Sequence, residues 1–200
     1  MEDQSLDLIE RCLRGIAEVS RGKRGLKVHR LPSKFAMYHD VDPLTQKVAD
    51  QPTGARLSLR TEATHIELVY RAILDATADG SYVSPPSTVT LTSGELEASV
   101  ADSIGDRRIW DGPLMAGIQE GANSAATFEL PSTTEPRLVD IWLPHNCEIE
   151  LIALRANAPI APAETKLPRW VHYGSSISHS MEATEPTGVW PVVAARKLNF

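Results

Sequence analysis

Along the first 25 residues, apolar side chains recur at helical spacing, Leu6, Ile9, Cys12, Leu13, Ile16 and Val19, with Asp3 or Ser5 ahead of them as an N-cap. The pattern predicts one amphipathic helix over residues 5–19, closed by the Gly/Lys/Arg stretch 20–25, which reads as a solvated turn. From residue 26 to 157 the period changes to two. Short alternating runs, Arg56-Leu-Ser-Leu-Arg60 and His65-Ile-Glu-Leu-Val-Tyr70 among them, are separated by Gly, Pro, Asp and Ser. They predict strands over 26–31, 55–60, 64–73, 87–92, 95–101, 125–130, 137–143 and 147–155. About eight short strands with no helix between them point to a mainly β fold, a jelly-roll β-sandwich with an N-terminal helix.

The grammar changes again after residue 157. Pro159, Pro162 and Pro168 favour extended backbone and mark residues 158–168 as a linker. Beyond it, Arg169-Trp-Val-His-Tyr173 predicts a compact strand and Gly174-Ser-Ser-Ile-Ser178 a tight turn. Trp190–Leu198 predicts a helix with Pro191 in its first turn, where a missing N–H does least harm. Strand, glycine turn and helix are how an α/β domain begins. The expected organisation is therefore a helix and turn (1–25), a sandwich (26–157), a linker (158–168) and the opening of a second domain (169–200) that the chain, ending at Phe200, leaves incomplete.

Composition narrows the function classes. Hydrophobic residues at 42% and charged residues at 23% suit a chain with a real core. The net charge of −6 and the absence of any basic run longer than Arg21-Gly-Lys-Arg24 argue against a nucleic-acid partner. Apolar runs last only a handful of residues, so the expectation is no membrane span, no secretory leader and a cytoplasmic location. Cys12 and Cys147 belong to no Cys-x-x-Cys pair and read as reduced, buried thiols.

One stretch, Trp170-Val-His-Tyr-Gly-Ser-Ser-Ile-Ser-His179, joins residue type and expected backbone in a way that suggests catalysis. A serine just past a buried strand, after a glycine that permits a sharp turn, exposes its hydroxyl at the carboxyl end of a sheet, where open α/β sheets place their sites. Its own N–H can face the same pocket. Gly174-Ser175-Ser176-Ile177-Ser178 resembles the first sequence block of the SGNH hydrolases, the GDSL-type esterases and lipases, whose usual form is Gly-Asp-Ser-Leu or Gly-Asp-Ser-Ile followed by Thr or Ser. Asp140–Arg155 looks like part of the N-terminal jelly-roll domain of the bacterial two-domain branch of that family, so the resemblance covers most of residues 26–200.

The resemblance implies an α/β, flavodoxin-like hydrolase domain beginning at residue 169, and a serine esterase or acyltransferase acting on small acyl esters, acetylated carbohydrate being one candidate. It gives Ser176 the roles of nucleophile and backbone oxyanion donor and Gly174 that of the turn. Ser175 would be a supporting residue in place of the family's Asp. No metal or organic cofactor is implied. The family's remaining oxyanion donors and its Asp-x-x-His pair would fall beyond Phe200, so the 200-residue chain alone is expected to be inactive. His172 and His179 are not expected to be the base, which in this family arrives from a distant loop. His172 reads as a packed or hydrogen-bonded strand residue. His179 either lines the substrate rim or bonds to nearby backbone. Self-association is left open, because an unpaired apolar strand invites it.

Other clusters carry less. Tyr38-His-Asp-Val-Asp42 beside Pro43 reads as an exposed turn rather than a metal site. His145 and Cys147 flank Asn146 but fall short of a zinc set. Trp110-Asp-Gly-Pro113 is a turn whose aromatic packs the sandwich end or forms a sugar-stacking surface, and Trp142 faces either layer. The competing function is a non-catalytic β-sandwich that binds carbohydrate or a partner protein. Such a module has no use for an appended strand and helix.

Overall fold

The computed structural model describes residues 1–34, 43–164 and 166–200; the cluster from Tyr38 to Asp42 lies outside them. The described chain is mainly β and forms two sheets. One runs in the order β10 (Leu114–Gln119), β9 (Asp106–Asp111), β6 (His65–Thr77), β13 (Glu148–Ala156), β4 (Leu26–His29) and β3 (Glu18–Arg21). In it β1 (Glu2–Asp3) adds to β13, and β11 (Ser124–Glu129) adds to β6. The other runs β14 (Ile160–Pro162), β5 (Arg56–Thr61), β12 (Arg137–Trp142), β7 (Ser87–Ser93) and β8 (Leu96–Asp102), with β2 (Leu13–Arg14) added to β5.

The alternation that predicts the strands also sets which face is buried. Leu57 and Leu59 of β5, Val89 and Leu91 of β7, and Ile141 of β12 meet Leu68, Tyr70 and Leu74 of β6 and Ile149 and Leu151 of β13 in one buried cluster between the sheets. Each such Leu or Ile contributes roughly 1.5–3 kcal/mol by leaving water. The Tyr70 hydroxyl crosses this core to the Ser87 hydroxyl at 2.9 Å, so this buried polar tip is satisfied. Cys12 and Cys147 sit in the same cluster as free thiols.

The helix expected over 5–19 occupies only Leu6–Cys12 (α1), capped by the Ser5 hydroxyl accepting from the Leu8 N–H. Two facts stop it. Leu13 and Arg14 pair with Leu57 and Arg56 of β5. Gly15 then turns at φ +78°, where a Cβ would lie 2.7 Å from the Gly54 carbonyl oxygen. Ile16 and Val19 reach the core from beyond that turn and from β3, not from a helix. Tertiary pairing has overridden a helical period.

The outer face of the first sheet is charged. Arg71 donates to Asp106 at 2.8 and 2.6 Å and to Glu150 at 2.5 Å. Arg108 meets Glu148 at 2.7 Å, and Lys27 bridges Glu148 and Asp50 at 3.1 and 3.0 Å. Trp110 lies on this face, 7% exposed, its indole N–H on Asp75 at 2.8 Å. The expected turn is there, at Gly112 (φ 58°) between β9 and β10, but Trp110 stands on β9 ahead of it and is covered, so it is not an open stacking surface.

Residues 158–168 do not form a free linker throughout, since β14 pairs with β5 from Ile160 to Pro162. Residues 169–173, expected as a strand, are exposed and have no sheet partner among the described residues. A lone strand has no ladder to hold it. A second helix, α2 (Pro43–Ala49), precedes β5, and after β14 the chain becomes regular again at α3 (Ser176–His179), a single 3₁₀ turn (Pro186–Gly188) and α4 (Trp190–Leu198). This last part rests on the sandwich, where Val189 and Val192 bury against Trp142 of β12, and Arg196 reaches Glu97 of β8 at 2.9 Å.

Candidate functional site

Ser176 stands at the first position of α3, exposed, and no hydrogen bond engages its side chain among the described residues. Its N–H, in the first turn, has no intrahelical acceptor. Ser175 is the N-cap, with extended backbone (φ −103°, ψ −160°) and no capping bond from its hydroxyl. Its carbonyl accepts from the N–H groups of Ser178 and His179 at 2.9 and 3.1 Å. Ser180 closes the turn in the left-handed region (φ 52°), its N–H on the Ser176 carbonyl at 3.0 Å.

The three residues after Ser176 are each tied to a different part of the molecule. The Ile177 carbonyl accepts the indole N–H of Trp190, on α4, at 3.1 Å. The Ser178 hydroxyl bonds to Nε2 of His172 at 2.8 Å. Gly174 lies beneath that bond: a Cβ there would come within 2.6 Å of the Ser178 Cβ and 2.8 Å of the His172 ring. What the structure asks of a glycine here is room, since its φ lies outside the left-handed region. His172 also stands edge-on to Trp190 (4.9 Å, 77°) and close to Trp170 (5.4 Å). It is hydrogen-bonded as expected, but on an exposed segment and not on a strand.

His179 is buried, at 5% exposure, and so is placed inside rather than at an open rim. Its Nε2 lies 2.8 Å from the His145 carbonyl and 3.1 Å from Oγ1 of Thr53. A carbonyl can only accept, so Nε2 carries the hydrogen. The backbone contact anticipated for this ring exists, but with a loop 34 residues away in sequence. Thr53 also donates to the His145 carbonyl, at 3.2 Å. The two loops that supply these groups are joined to each other by the Gln51 amide on the Asn146 carbonyl (3.0 Å) and the Leu143 N–H on the Ala55 carbonyl (3.0 Å). Burial, and after it the Arg30 guanidinium, pushes the His179 ring down to about 4. Burial also lowers the neighbouring His145.

Both histidines near Ser176 are thus engaged elsewhere, one with Ser178 and one with the sandwich. The structure does not bring an imidazole, carboxylate or second oxyanion donor onto the Ser176 hydroxyl through any hydrogen bond among the described residues. Thr53 and His145 are the site residues that sequence reasoning misses as neighbours of this turn. Nothing local marks them, since only the fold brings residue 53 to residue 179. His145 and Cys147 diverge, the thiol into the core and the His145 carbonyl to His179.

No protein-family model matches the chain, and none of the curated proteins does. Among solved structures it is similar to a salicylyl-acyltransferase, SsfX3, from a tetracycline biosynthetic pathway, with a TM-score of 0.69 and 23% sequence identity over 92% of this chain and 48% of that one. It is also similar to a protein described as a GDSL-like lipase from Bacteroides ovatus ATCC 8483, with a TM-score of 0.64 and 17% identity over 98% of this chain and 53% of that one. At these identities the likeness is one of fold. The chain spans about half the length of the solved structures it matches.

Proposed function

We propose that this chain carries the nucleophile of a serine acyl hydrolase or acyltransferase of the SGNH type. Its two sheets are read as the jelly roll of the two-domain branch, and residues 169–200 as the start of the catalytic domain. The observation that carries the reading is the contrast inside α3: the Ser176 hydroxyl is exposed and unengaged while each of the next three residues is held. A nucleophile needs that combination of freedom at the reacting atom and fixity around it. The fold shared with an acyltransferase and with a GDSL-like lipase supports the same class.

In this reading the Ser176 oxygen attacks the carbonyl carbon of a small acyl ester, and its proton passes to a base. The alcohol leaves as the carbon–oxygen bond breaks. Water or an acceptor alcohol then takes the acyl group from the serine. The N–H of Ser176 donates to the oxyanion of the tetrahedral intermediate. His172 and His179 are committed to other partners, which fits the resemblance to the SGNH hydrolases, where the base arrives from a distant loop. Ser175, exposed and free of a capping bond, stands beside the nucleophile in a supporting place.

Hydrolysis of p-nitrophenyl acetate by the 200-residue chain and by any longer natural form, each with and without Ser176→Ala, tests the proposal. The expected result is little turnover by the 200-residue chain and Ser176-dependent turnover by the longer one. Turnover by the longer form that survives Ser176→Ala overturns it.

A further inference from the structure

We propose that the β-sandwich is a working part of the acyl-transfer site: Thr53 and the His145 backbone, acting through His179, are positioning residues that hold the turn presenting Ser176. The inference rests on the reading of Ser176 as nucleophile and extends it to two loops of the other part of the molecule.

The geometry is specific. Within α3 the backbone supplies only the short bonds from Ser178, His179 and Ser180 back to Ser175 and Ser176. A helix of this length has no stability of its own in water. External ties must therefore fix it. Those to Trp190 and His172 come from neighbouring stretches of the same C-terminal segment and are themselves exposed, Trp190 at 42%. The third tie differs in kind. His179 is 5% exposed, His145 1% and Thr53 half-buried, so this donor and its acceptors are largely shielded from competing water. It also joins the turn to a frame that the hydrophobic core makes rigid: Leu143 is fully buried in the core, and its N–H binds the Ala55 carbonyl.

The arrangement is over-determined at one point. The His145 carbonyl accepts from both the His179 ring and the Thr53 hydroxyl, while that hydroxyl also accepts from the ring. Removing the hydroxyl leaves the ring a single acceptor and lets it pivot about the carbonyl. Rotation of the ring moves the end of a four-residue turn whose first residue is Ser176. A displacement of about 1 Å at a reacting atom is enough to lower a rate by about a hundredfold.

Thr53→Val removes the hydroxyl and keeps the shape, and Thr53→Ser restores the hydroxyl. Amide hydrogen exchange of the 200-residue chain, followed by NMR, is expected to run about tenfold faster at Ser178, His179 and Ser180 in Thr53→Val, unchanged along β6, and normal again in Thr53→Ser. In any longer natural form that shows Ser176-dependent turnover, the same Val variant is expected to lower kcat about tenfold with KM within twofold, and the Ser variant to recover it. Unchanged exchange at 178–180 overturns the tie. Faster exchange with unchanged kcat overturns the positioning role. Failure of the underlying reading is told apart by Ser176→Ala, since the exchange measurement does not depend on that hydroxyl.

Discussion

Acidification is expected to weaken this protein in a window that one ring defines. His179 ordinarily titrates at 6.5 and in the folded chain is pushed down to about 4 by burial and by Arg30, the bond to the His145 carbonyl opposing them and the His145 ring and Lys47 adding a little to the lowering. Its Nε2–H is bonded, so protonation must occur at Nδ1, which has no hydrogen-bond partner. The unfolded chain takes up this proton near pH 6.5, whereas the folded chain refuses it until about pH 4. Stability is therefore complete above pH 6.5 and falls as the pH falls toward 4. At 1.36 kcal/mol per pKa unit the interval corresponds to about 3 kcal/mol. Urea unfolding at pH steps from 7.5 to 4, for the wild type and for His179→Gln, isolates the effect, because the glutamine keeps a donor for the His145 carbonyl and does not titrate. The wild type is expected to lose about 3 kcal/mol more than the variant across the window. Parallel curves for the two proteins would refute the assignment of this proton to His179.

Two further outcomes are expected. Arg71→Met removes the cation that Asp106 (0% exposed) and Glu150 (3% exposed) share, leaving Arg24, 3.2 Å from Asp106, as the remaining counter-charge, and is expected to lower the unfolding free energy by about 3 kcal/mol. Adding Asp106→Asn and Glu150→Gln should return part of it in the same urea titration, and a loss that the triple variant merely deepens would contradict the account. Gly174→Ala forces a methyl group against Ser178 and the His172 ring and is expected to separate that pair. The His172 ring proton resonances should lose the shift imposed by the edge-on Trp190, with β6 amides unmoved; an unshifted spectrum relative to wild type would show that the crowding is harmless.

The parts of this fold that were legible in the sequence are those where one face of a strand is apolar. The runs at 56–61, 87–93, 96–102, 124–129, 137–142 and 148–156 are strands within a residue or two of where alternation places them. The hairpin Asp106–Gln119 was not legible, because β9 buries Asp106 and Arg108 instead of Leu or Val and so shows no apolar period. Its strand character comes from parallel pairing with β6 and from the ion pairs that cover it. Helical spacing overextends the N-terminal helix because the alternation of β3 is too short to compete with it over the same residues. At the site, the serine turn and the helix at 190–198 could be read locally. The anchorage through Thr53 and His145 could not, since hydrogen bonds across 126 and 34 residues leave no mark on spacing.

The thirteen-residue strand β6 has a consequence for how the protein is made. Along one edge it pairs with β13, from Ile66 with Ala156 to Ile73 with Glu148; along the other it is divided between β11 and β9. A ribosome delivers β6 well before any of these three partners. Until residue 156 has emerged, a long strand rich in Leu, Ile and Val has no completed ladder on its β13 edge, and that exposed edge is a template for pairing with another nascent chain. Folding of this sandwich is therefore gated by its last long strand, and aggregation during synthesis should track the time between the appearance of residue 77 and that of residue 156.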